Sequence, residues 1–102
     1  MNTRVIVRQR VKDFLQTLAP EARRKLWHGI KDLAQDKGDR KQLDGNLHPF
    51  WRLRVDRMRL IYEPRSVEGE RQLICFFADH RATVCAVLEQ LLVSGMVEEL
   101  RD

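Results

Sequence analysis

Thiols are scarce in this sequence. Its 102 residues include two cysteines, Cys75 and Cys85, ten positions apart and without a second cysteine or a histidine at zinc-ligand spacing. That rules out a recognisable zinc motif and reads as two reduced thiols in a cytoplasmic protein. Long apolar runs are missing as well. No segment approaches the roughly 18 apolar residues of a membrane-crossing helix. The opening MNTRVIVRQR lacks an apolar stretch of signal-peptide length. Neither a repeat nor a low-complexity run interrupts the chain, and no carboxylates cluster as Mg²⁺ ligands. The expectation is one domain over residues 1–102, with no cofactor and no membrane association.

What is present is an ordinary globular composition, 43% hydrophobic and 33% charged, long enough for a modest core without staples. The net charge of +4 is unevenly divided: residues 1–51 carry eleven Lys and Arg against six Asp and Glu, residues 52–102 eight against nine. A sequence pI near 9.5 makes nucleic acid or another anionic partner plausible.

The chain is organised around 50–62, FWRLRVDRMRLIY. Successive strand residues face opposite sides, so Trp51, Leu53 and Val55 share one face and Arg52 and Arg54 the other. Val55, Asp56 and Arg57 make a turn. Met58, Leu60 and Tyr62 then continue the apolar face, and Arg57 and Arg59 join the cationic one. A solvated strand face would also tolerate four basic residues. Their being arginine throughout favours phosphate, because the planar guanidinium fork binds it bidentately. Trp51 falls on the apolar side and is expected to pack rather than to stack on a base.

Around this hairpin, Arg4 to Arg8 reads as an opening strand. Val11, Phe14, Leu15 and Leu18 mark one face of a helix, and Pro20 starts a second helix reaching about Asp36. That second helix turns Ala22, Leu26, Ile30, Leu33 and Ala34 inward and Arg23, Arg24, Lys31 and Lys37 outward, with Trp27 ambiguous. Asp39 to Pro49 is expected as a loop pinned by Leu43 and Leu47, and Glu63 to Gln72 as a turn. Leu73 to Ala78 is an apolar strand that buries Cys75. Val84, Val87, Leu88, Leu91 and Leu92 trace a last amphipathic helix. The order β-α-α-β-β-β-α predicts an α+β fold, a small mainly antiparallel sheet with helices on one face.

This succession resembles the RelE/ParE toxin superfamily of bacterial toxin–antitoxin modules. The resemblance runs through nearly the whole chain: the helical hairpin, Leu43-Asp44-Gly45, WRLRVDRMRLIY, the apolar strand and DHRATVCAVL. It implies a ribosome-dependent, metal-independent endoribonuclease that cuts mRNA in the ribosomal A site and is neutralised by a cognate antitoxin. Arg59 corresponds to the family's hairpin arginine and Arg81 to its post-strand arginine, both at the scissile phosphate. Arg52 and Arg54 stand where RelE proteins carry two catalytic lysines, and Arg57 extends the same set. Cys85 falls near a tyrosine that contacts the substrate base in many members. An antitoxin would cover the cationic face or displace the last helix, whose stripe from Val84 to Leu92 offers a docking surface.

The chemistry makes its own demands. Cleavage by the RNA's 2′-hydroxyl needs a base for that hydroxyl, positive charge on the phosphorane and an acid for the departing 5′-oxygen. Arginines supply the charge but stay protonated. His80, with an imidazole that titrates near neutrality, is the candidate for proton transfer, and His48 in the preceding loop is a second. Each has an alternative: His80 as a strand-end residue, His48 as a solvated one. Cys85 reads as a small helical hydrophobe, not a nucleophile. Two non-nucleolytic readings stay open, a ParE-like toxin that binds DNA gyrase and a degenerate RNA-binding member. Arg52, Arg54, Arg59 and Arg81 favour cleavage, and cysteine at the tyrosine position favours the others.

Overall fold

Alternation along residues 51–62 yields the two strands it predicts. In a computed structural model describing residues 3–47 and 49–80, β3 (Trp51–Val55) and β4 (Met58–Val67) pair antiparallel, with Leu53 opposite Leu60 and Arg54 opposite Arg59. Asp56 takes a left-handed φ of 51° in the two-residue turn; short polar side chains tolerate that conformation better than most. The remaining strands are β1 (Thr3–Val7), β2 (Asp39–Gln42) and β5 (Glu70–His80), in the sheet order β1-β5-β4-β3-β2. Among the described strands, only β1 and β5 pair in parallel.

Helices α1 (Gln9–Thr17) and α2 (Pro20–Asp32) follow β1 directly. Pro20 opens α2 where its absent N–H costs no hydrogen bond, and Glu21 and Lys31 complement the helix dipole at its two ends. Arg23, expected to point outward, is half-buried: Nε donates to Leu15 O at 2.9 Å and Nη2 to Leu18 O at 3.1 Å. Leu15 O also accepts the C-cap N–H of Leu18, and Leu18 O lies just past the last turn of α1, so the guanidinium of an α2 residue ties the two helices together.

Both helices lie on one side of the sheet. Val11, Leu15, Leu26, Ile30 and Leu33 pack there against Leu53, Met58, Leu60, Tyr62, Leu73 and Cys75, with Trp51 and Trp27 at the margin. At about 1.5–3 kcal/mol per fully buried large aliphatic side chain, this cluster holds most of the favourable burial. A second cluster on the far side joins Leu43, Leu47, Phe50, Ile61, Ile74, Phe76 and Phe77. A register shift beside Ile61 and Tyr62 interrupts the alternation, so that consecutive Phe76 and Phe77 both enter this cluster.

The sheet is larger than expected in two places. Asp39–Gln42 forms strand β2 on the edge of β3, although DRKQ has no apolar alternation; a short, charged edge strand needs only its backbone pairing. Residues 63–72 are mostly strand, with the reversal confined to Glu68 and Gly69. Pro64 is tolerated there because β3 pairing stops at Trp51 and Tyr62, leaving that stretch of β4 an edge on one side. Helix α2 ends at Asp32, and the 3-10 turn Leu33–Gln35 carries the chain on to Asp36, in left-handed conformation. Leu43 and Leu47 are buried, as their pinning role requires. The helix expected over Val84 to Leu92 lies outside the described residues.

Candidate nucleic-acid interface

On the far face of the β2–β3–β4–β5 strips, two rows of side chains cross the sheet in register, one of them polar throughout. One runs Asp39, Arg54, Arg59, Asp79; the next begins Lys41, Arg52 and continues into Ile61 and Phe77. The hairpin therefore brings Arg52, Arg54 and Arg59 onto one side, as the alternation requires. Arg57 stays exposed in the turn.

The three arginines differ in freedom. The Arg54 side chain is 50% exposed and that of Arg52 23%, and Asp39 lies within ion-pair range of both, at 3.9 Å from Arg54 and 3.7 Å from Arg52. Arg52 Nε is buried without a hydrogen-bond partner, so this guanidinium retains unused donor capacity. Arg59 is only 7% exposed, and its Nη1 donates to Asp56 O at 3.1 Å and Met58 O at 2.9 Å. It thus braces the turn of the hairpin from inside. Lys41, Asp39 and Asp79 were not singled out in the sequence; the register alone places them beside the arginines.

His80 sits on the other side of the sheet. It pairs with Met58, whose side chain belongs to the helix-side core, and its ring meets Phe14 of α1 edge-on at a centroid distance of 5.3 Å. Arg59 and Asp79 pair one position back and point away from it. The hairpin arginines and this imidazole are therefore not brought together. His48, Arg81 and Cys85 lie outside the described residues. Cys75 is fully buried, and burial pushes its thiol up to about 12. Among the described residues no three His, Cys, Asp or Glu side chains converge as metal ligands, and no helix is long and apolar enough to cross a membrane.

Solved structures share this architecture. The RelBE2 toxin–antitoxin complex of Mycobacterium tuberculosis superposes with a TM-score of 0.67 at 19% identity, over 79% of this chain and 100% of that one. The RelE–RelB complex of Pyrococcus horikoshii gives 0.61 at 21% identity, over 80% and 98%. This is the fold of the RelE/ParE toxin superfamily. A YoeB/ParE toxin from Agrobacterium tumefaciens aligns over 76% of this chain and 97% of its own, with a TM-score of 0.58 and 16% identity. No family model and no curated protein sequence matches the chain. Within the RelE/ParE fold, the segment that the sequence resemblance singled out, 51–62, is the central β3–β4 hairpin that presents the arginines.

Proposed function

We propose that the chain is the toxin of a type II toxin–antitoxin module, a cytoplasmic endoribonuclease that cleaves mRNA on the ribosome and is silenced by a cognate antitoxin. One observation carries the reading: Arg52, Arg54 and Arg59 share a face of a rigid strand pair within a fold otherwise seen in RelE and YoeB/ParE toxins. Guanidiniums fixed on strands are suited to stabilising charge that builds up on a phosphorane, because little reorganisation is needed as it forms. In this mechanism Arg54 and Arg52 grip the phosphates flanking the cut. Arg59 holds the turn and contributes positive potential beneath the scissile group, and the family resemblance assigns Arg81 to the same phosphate. The 2′-hydroxyl attacks phosphorus, the bond to the 5′-oxygen breaks, and a 2′,3′-cyclic phosphate forms. His48 or His80 exchanges the protons, His80 only after its ring leaves Phe14.

A ParE-like gyrase inhibitor is the second reading. It is favoured by the placement of His80 on the helix side, which leaves the described cationic face without an imidazole. The deciding experiment induces the chain alone in bacteria and maps mRNA 5′ ends with and without a translation block. Translation-dependent cuts within coding regions, lost in Arg52→Ala/Arg54→Ala, are expected. Growth arrest with intact mRNA would transfer the assignment to gyrase binding, and absence of arrest to a degenerate RNA-binding member.

A further inference from the structure

At the end of the hairpin opposite the Asp56–Arg57 turn, on the helix-facing side, a cavity of about 280 Å³ opens beneath the 3-10 turn Leu33–Gln35. Two guanidiniums, Arg40 from β2 and Arg71 from β5, line it with one carboxylate, Asp36. Arg71 is held on every side: Nη1 donates to Asp36 Oδ1 at 2.9 Å, Nε to Thr3 Oγ1 at 3.1 Å and Nη2 to Ala34 O at 3.5 Å. Arg40 is held loosely. Its Nη1 reaches the same Asp36 oxygen at 3.4 Å, its guanidinium also hydrogen-bonds the Tyr62 hydroxyl, and its Nε is buried with no hydrogen-bond partner.

Two positive charges facing one negative leave a single positive charge in surplus, next to a buried N–H that lacks an acceptor. Such a donor is costly to leave unmade, and a ligand oxygen would satisfy it. The rest of the wall is apolar and aromatic. Trp51 stacks against Tyr62 at a centroid separation of 6.3 Å and an interplanar angle of 29°, and Leu33 and Leu73 complete the lining. The volume lies just under the usual range for drug-sized ligands, so the occupant is compact.

We infer that this cavity binds a monocarboxylate carried on a compact apolar or aromatic body, its carboxylate taken by Arg40 and its body laid against Trp51. The surplus of one charge matches a monoanion better than a phosphate dianion, and the apolar wall suits an organic body. Asp36 acts as an internal competitor. Its contact with Arg40 is the longer of its two, so a ligand carboxylate displaces it from Arg40 while the bond to Arg71 stays. The site lies on the opposite side of the sheet from Arg52, Arg54 and Arg59, and does not depend on the proposed ribonuclease activity. A free acid and the acidic side chain of an apolar peptide present the same chemistry, and the test separates them.

The experiment titrates the full ¹⁵N-labelled chain with 3-phenylpropionate, and separately with N-acetyl-Leu-Glu-Leu-amide, and follows the Arg40 Nε–H and Trp51 indole N–H resonances. Saturable shifts with a Kd below about 10 mM are expected for at least one of the two. Saturation by 3-phenylpropionate identifies a free-acid site; saturation by the peptide alone identifies a site for an acidic side chain. Arg40→Gln weakens binding about tenfold, the usual cost of one charge-assisted hydrogen bond. Asp36→Asn removes the competitor and tightens binding about threefold; asparagine also tolerates the left-handed backbone at this position. The inference is overturned if neither probe saturates, if 3-phenylpropanol binds as well as the acid, if inorganic phosphate binds in preference to both, or if Arg40→Gln and Asp36→Asn leave the affinity unchanged.

Discussion

Arg59 illustrates how one side chain serves two ends. Its guanidinium is buried and donates to two main-chain carbonyls of the hairpin turn, so truncation strips partners from buried acceptors as well as charge from the face. Arg59→Ala should lose about 1–3 kcal/mol in denaturant unfolding, whereas Arg54→Ala, at an exposed position, should stay within about 0.5 kcal/mol of the parent. Loss of toxicity in Arg59→Ala therefore reports on fold and function together, and Arg54→Ala isolates function. An Arg59→Ala variant as stable as the parent would show that the turn does not depend on this bracing. Cys75 gives the residue scale a pH signature. Burial raises the thiol from its ordinary 9.0 to about 12, so the unfolded chain releases this proton first. The associated stability is complete below pH 9 and is lost as pH rises toward 12. In a Cys85→Ser background, iodoacetamide should leave the native protein unmodified at pH 8 and label it readily in about 6 M guanidinium chloride. Labelling at equal rates in both states would contradict the buried placement.

Between elements, α2 approaches the hairpin closely at Gly29. A Cβ on Gly29 would stand 2.9 Å from Val55 Cγ2 and 3.4 Å from Leu53 Cδ2, and one on Gly38, at a φ of 106°, would stand 2.9 Å from Leu53 Cδ1. Leu53 is thus clasped between two positions that have no side chain. Gly29→Ala would gain helix propensity, by roughly 1 kcal/mol, but it pushes α2 off β3, and overpacking of this kind costs about 1–3 kcal/mol. The expected result is a net lower thermal midpoint, relieved by Val55→Ala in the same chain. Additive losses in that double variant would argue against contact. These elements also show what the sequence disclosed. Apolar spacing at Val11, Phe14, Leu15 and Leu18, and alternation at Trp51, Leu53 and Val55, specify a buried face directly, and so α1 and the hairpin were legible. Strand β2 was not, because Asp39 to Gln42 bury little and are ordered by pairing with β3. The long arms of β4 and β5 were hidden by Pro64, Ser66 and Gly69, residues that signal turns unless an edge and a tight reversal accommodate them.

Across the whole molecule, the two sides of the sheet divide the work. The helix side holds the main core, the Arg40–Asp36–Arg71 cavity and His80; the far side holds a smaller apolar cluster and the row of arginines. Strand alternation was enough to assign the arginines to one face, but the face of His80 depends on where the register shifts along β5, and only the pairing of His80 with Met58 fixes it. The arrangement predicts how RNA binding responds to salt. Each phosphate neutralised on a single strand contributes about −0.7 to the slope of log K against log salt. If Arg52 and Arg54 each hold one, Arg52→Ala/Arg54→Ala should make the slope shallower by about 1.4. The effect should not depend on RNA sequence, because backbone contacts carry no base information. His80→Ala, altering a ring packed on Phe14 on the other side of the sheet, should leave that slope unchanged. Filter binding to a short single-stranded RNA between about 50 and 200 mM salt separates the two variants. A slope that moves with His80 and not with the arginines would place the RNA on the helix side, and the hairpin's cationic face would then have to serve the protein partner instead.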